Sequence, residues 1–202
     1  VVIVVYPLLW VLGSSFNPGQ SLSGSTMFPE NPTLKHYKSL FDIENSNYVL
    51  WYLNSMKISL ITMVFAVISV AFTGYAFSRY RFIGRKNGLL TWLVKGYLDT
   101  IPKELDESAR MDGAGHLRIF WQIIMPLSKP ILAVVALFSF IAPFGDFILA
   151  RIMLRSEEKF TMGVGLYELV SKQFGNEFTT FAAGSVLIAI PITILFLSFQ
   201  KY

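Results

Sequence analysis

Residues 58–77, ISLITMVFAVISVAFTGYAF, are twenty consecutive positions without a charged side chain, and no other stretch limits the fold as strongly. About twenty apolar residues in a helix cross the hydrocarbon core of a bilayer. In that medium every backbone amide must be paired within the protein, which leaves helices or a closed barrel. Three further runs are similar: residues 1–16, residues 130–150 with Asp146 as the sole ionisable group, and residues 178–200, uncharged and interrupted by Pro191. The chain therefore reads as an all-α, polytopic membrane protein. Its charged fraction agrees, 15% against about 25% in soluble domains.

Charge placement gives the orientation. Arg79, Arg81, Arg85 and Lys86 follow the second run with no acid among them, as cytoplasmic loops do. Residues 17–52 balance Lys35 and Lys38 against Glu30, Asp42 and Glu44 and read as external. The net charge of +4 is thus a topology signal, and nucleic acid is excluded as a partner. With no cysteine there is no disulfide or thiol chemistry, and His36 and His116 stand too far apart in sequence for a zinc site. No pairing of acids, nucleophile and base points to catalysis, so the expectation is no catalytic residue, no metal and no cofactor held by this chain.

Parity then fails. Residues 79–86 and 103–129 both carry the basic signature of the inside, yet only residues 87–102, NGLLTWLVKGYLDTIP, join them. Two crossings need about 40 residues. Either this stretch lies at the interface, or residues are absent between Leu90 and Thr91.

Residues 104–126, ELDESARMDGAGHLRIFWQIIMP, are of another kind. Glu104, Asp106 and Glu107 suit the start of a helix and Arg110 its end. Gly113 suits the left-handed position just past that end. Leu117, Phe120, Trp121 and Ile124 form an apolar stripe at helical spacing, and Pro126 and Pro130 are expected to break the chain before the next span. On these features alone, the segment is either an amphipathic connector or a surface that docks another protein.

The same residues resemble the signature of permease subunits of binding-protein-dependent ABC importers: Glu-Ala-Ala, three residues, Gly, nine residues, Ile, one residue, Leu-Pro. Glu107, Ser108 and Ala109 fill the triplet, Gly113 and Ile123 follow at the right distances, and Met125-Pro126 replaces Leu-Pro. NSMKIS, GYAFSRYRF, KGYLDTIPKELDESARMDGA and PLSKPILAVVALFSFI resemble the carbohydrate branch, most closely the maltose/maltodextrin-type second permease. The resemblance covers residues 54–86 and 91–200.

The resemblance implies a single transmembrane domain over residues 1–202 of the ABC type I importer kind, with six core helices. Parts of spans 3 and 4 are then absent at Leu90–Thr91, and the first span and the C-terminus are trimmed. It implies a cytoplasmic coupling loop, 103–129, carrying Glu107, Ser108, Ala109, Asp112, Gly113, Ala114, Ile123 and Pro126. It implies a second homologous permease, a cytoplasmic ATPase dimer that binds ATP and Mg, an extracytoplasmic sugar-binding protein, an oligosaccharide and a bacterial cell membrane. The chain holds no G-x-x-x-x-G-K-[ST] phosphate loop; GRKNGLL lacks the pattern. Phe72, Tyr75, Phe138 and Asp146 are candidates for the translocation path; lipid contact or helix packing for the aromatics and a helix end for Asp146 are the alternatives. Arg79 and Arg81 read as topology anchors, and Pro191 as a kink. Residues 151–177, flexible at Gly163, Gly165 and Gly175, either reach the binding protein or form a solvated hairpin. A permease for another solute stays open. An ATP-independent transporter would need charge relays or inverted repeats, and only Asp146 is at hand.

Overall fold

The computed structural model describes residues 2–19, 29, 31–42, 44–79, 96–171 and 177–201, and among these every regular element is helical. The longer ones, in order, are α1 (Val2–Ser15), α2 (Lys35–Leu40), α3 (Tyr48–Arg79), α4 (Glu104–Met111), α5 (His116–Leu127), α6 (Lys129–Gly145), α7 (Ile148–Met153), α8 (Met162–Ser171) and α9 (Phe178–Phe199). Helices α3 and α9 are each long and apolar enough to cross a bilayer, and α5 with α6 make a third candidate bent by 77°. The expected break at Leu90–Thr91, and with it Arg81, Arg85, Lys86 and Gly175, lies outside the described residues. Pro191 sits inside α9, which stays helical from Phe178 to Phe199; neighbouring groups can re-satisfy the carbonyl that proline frees.

The chain divides into two compact units. The first holds Val1–Ser59 and Ile141–Phe196. Its centre is the first part of α3, where Tyr48 and Trp51 are buried. The Tyr48 hydroxyl donates to Gly184 O at 2.8 Å, the Trp51 indole N–H donates to Glu157 O at 2.7 Å, and Met162 N–H donates to Ser55 Oγ at 2.8 Å. His36 is buried between Asn17 O, to which Nε2 donates at 2.9 Å, and Thr180 Oγ1, 3.0 Å from Nδ1.

Three expectations are corrected in this unit. Helix α3 begins at Tyr48, so the preceding connection is shorter than residues 17–52. Among the described residues of 151–177 the solvated hairpin is corrected, because α8 buries Met162, Val164, Gly165 and Leu166. Gly163 and Gly165 are there for closeness rather than flexibility. A Cβ on Gly165 would overlap the Trp51 indole, and one on Gly163 would stand 3.1 Å from Asp146 O. The run 130–150 is also not one helix: α6 ends at Gly145, residues 146–147 belong to no helix, and α7 follows. The break is where Gly163 approaches the last carbonyls.

The second unit holds Leu60–Phe140 and Leu197–Tyr202. Its core is Ala71, Tyr75, Leu98, Ile101, Ile119, Phe120, Ile124 and Leu132. Its chain bends at Ser128, between α5 and α6 and so between Pro126 and Pro130, where the break was expected. Pro130 lies in the first turn of α6, where a missing N–H is harmless.

Candidate functional site

Residues 104–127 build the candidate site, all of it within the second unit. Helix α4 stops on two hydrogen bonds: Gly113 N–H donates to Arg110 O and Ala114 N–H to Ala109 O, both 2.9 Å. This pair requires the residue past the cap to be left-handed, and Gly113 is, with φ of 80°. After the turn, α5 widens at Phe120–Ile124 into a π-helical turn.

That wide turn corrects the expected stripe. In an α-helix Leu117, Phe120, Trp121 and Ile124 share one face. With i→i+5 bonding, residues five apart align instead, and Ile119 and Ile124 are both buried together with Phe120. Leu117 is left 71% exposed and Trp121 54% exposed. Phe120 stacks on Phe72 of α3 with ring centroids 4.8 Å apart and lies 5.2 Å from the Tyr75 ring.

The motif residues divide between two duties. Ala109, Ala114 and Ile123 pack on the core of this unit. Glu107, Ser108, Asp112, Gly113 and Pro126 are exposed. Close to them in sequence, Met111 is 88% exposed and Leu117 71%, two uncovered apolar side chains on a segment too charged to sit in hydrocarbon.

Of the four residues expected in a translocation path, Phe72 and Tyr75 are brought together at Phe120. Phe138 is exposed on α6, and Asp146 is exposed in the break after α6, in the other unit. Sequence reasoning missed Asp106 and Arg79. Both side chains are buried, and Arg79 Nε stands 2.8 Å from Asp106 Oδ2. Arg79 Nη2 also donates to Ile101 O at 3.2 Å. To the expected part of Arg79 as a topology anchor the structure adds contacts inside the protein. The available signal was its position closing a long apolar helix.

A model of the family described as "Binding-protein-dependent transport system inner membrane component" matches residues 2–202. Among curated proteins, the chain is 46% identical to the galactooligosaccharides transport system permease protein GanQ of Bacillus subtilis, over 246 residues covering 99% of this chain and 87% of that one. It is 40% identical to the maltodextrin transport system permease protein MdxG of Bacillus subtilis, with the same coverage. It is 36% identical to the maltodextrin transport system permease protein MalD of Streptococcus pneumoniae, again over 99% of this chain and 87% of the relative. An alignment of 246 residues exceeds the 202 of this chain, so these relatives hold residues with no counterpart here. A solved structure, of a bacterial ABC transporter involved in the import of the acidic polysaccharide alginate, superposes with a TM-score of 0.83 at 22% identity, covering 100% of this chain and 91% of the other.

Proposed function

Because the chain belongs to the family of inner membrane components of binding-protein-dependent transport systems, we propose that it is one of two transmembrane permease subunits of an ATP-driven oligosaccharide importer. In this reading it is a multi-pass protein of the bacterial inner membrane. It receives sugar from an extracytoplasmic binding protein and takes its energy from a separate cytoplasmic ATPase that binds ATP and Mg. The names of relatives at 46% and 40% identity support an oligosaccharide as cargo.

One observation carries the docking part of the proposal. Residues 104–127 are an ordered two-helix segment whose exposed surface combines small, apolar and charged groups, Ser108, Met111, Leu117 and Glu107. Its inner face is already satisfied by the core of its own unit. An outer face of that composition is suited to a protein cleft. Closure of the ATPase on nucleotide would then move α4 and α5 and, through them, the spans.

The test is Ser108→Trp, whose side chain would meet the partner and not this chain's own core. Overpacking a close contact costs about 1–3 kcal/mol. Uptake and recovery of the ATPase with the purified permease should both fall while the amount in the membrane stays normal. Full uptake by this variant, with the ATPase still bound, would remove the assignment.

A further inference from the structure

The α4 helix is eight residues long, and its one buried residue is an acid, Asp106. Isolated helices of that length are marginal in water, so α4 is held by what it touches. Its apolar attachment is slight, a partly buried Ala109. The buried attachment is ionic. Arg79, the last residue of α3, stands 2.8 Å from Asp106 as an ion pair and donates a hydrogen bond to Ile101 O, just ahead of α4. Both side chains are almost wholly withdrawn from water, 4% and 6% exposed. A buried pair is poor evidence for stability, since a well-packed apolar pair often does as well, but removing one partner strands a charge. A pair is therefore informative where its geometry, rather than its energy, is the asset. Arg carries its donors as a fork on one rigid plane; here Nη2 donates to Ile101 O just ahead of α4 and Nε faces Asp106 Oδ2 as an ion contact at 2.8 Å, so one guanidinium holds the beginning of α4 to the end of α3 at two points.

We propose that Arg79 and Asp106 are positioning residues: a joint that makes α4 and α3 move as one body, so that displacement of the docking surface is delivered to the span. This rests on the docking reading above and adds where the motion enters the membrane helix. Phe120 stacked on Phe72 gives the second point of attachment, so α5 is tied to α3 by packing and α4 by charge.

The experiment uses the assembled importer in proteoliposomes and reads solute moved per ATP hydrolysed. Asp106→Asn and Arg79→Gln should each lower that ratio about tenfold, within the usual range of coupling between sites. Arg79→Lys, which keeps the charge and loses the fork, should fall between them and the parent. The exchanged pair, Arg79→Asp with Asp106→Arg, should recover part of the loss. If the single variants reach the membrane poorly, the decisive version uses the absence of cysteine from this chain. Arg79→Cys with Asp106→Cys, joined by a short cleavable thiol linker, should couple when bridged and uncouple when the linker is cut. The joint is refuted if the single variants keep the parent ratio, or if bridging changes nothing, while Ser108→Trp abolishes uptake. If Ser108→Trp is also without effect, the docking reading has failed and the joint fails with it.

Discussion

At the scale of single residues, Gly113 shows how little space has to do with a glycine requirement. A Cβ there meets nothing within 4 Å. The constraint is its φ of 80°, which a β-branched residue adopts only with strain of about 1–3 kcal/mol. Asn, by contrast, visits that region readily. Gly113→Asn should therefore keep uptake near the parent level, whereas Gly113→Val should lose it and lower the unfolding midpoint in detergent. Equal behaviour of the two variants would mean that the turn is not what matters. The residue was legible in sequence because a helix stop has a backbone signature. Asp106 was not legible, because an acid in a first helical turn is already explained by the helix dipole, and only the folded chain brings Arg79 to it from 27 positions away.

At the scale of elements, α8 was the least visible in the sequence. The glycines and balanced charges of residues 151–177 suggested a loose connection, but the close approach to Trp51 is a tertiary fact with no local pattern. Gly165→Ala would drive a methyl group into the indole, a case of overpacking worth about 1–3 kcal/mol. The midpoint of thermal unfolding should drop, and Trp51→Ala in the same chain should relieve part of the clash. Gly115→Ala, with open space around its Cβ, should leave the midpoint nearly unchanged. A Gly165→Ala protein as stable as the Gly115→Ala protein would refute this packing. The π-helical turn was hidden for a different reason: periodicity assumes 3.6 residues per turn, so a wide turn moves the buried face without changing a single residue type. By the same logic the long spans were easy to read. A charge-free run of twenty residues has few other ways to satisfy its amides.

At the scale of the whole molecule, α3 is the one described helix tied to both an ion pair and an aromatic stack of the docking segment. It is 32 residues long, about 48 Å at 1.5 Å per residue, whereas the hydrocarbon core of a bilayer is about 30 Å thick. Its charge-free part matches that thickness and is bracketed by Lys57 and Arg79. A free arginine could follow a thinner or thicker membrane by bending its stem towards water, as flanking cations do. This one cannot, because its guanidinium is held within the protein. Lipid chain length therefore becomes a mechanical input: a mismatched bilayer must tilt or slide α3 against a fixed end, at fractions of a kcal/mol per Å. Reconstituted into phosphatidylcholines of increasing acyl length, the importer should show an optimum in sugar moved per ATP hydrolysed. In the Asp106→Asn protein the optimum should flatten, since the end of the rod is then released from α4. A parent protein indifferent to chain length would show that the membrane's thickness never reaches the joint.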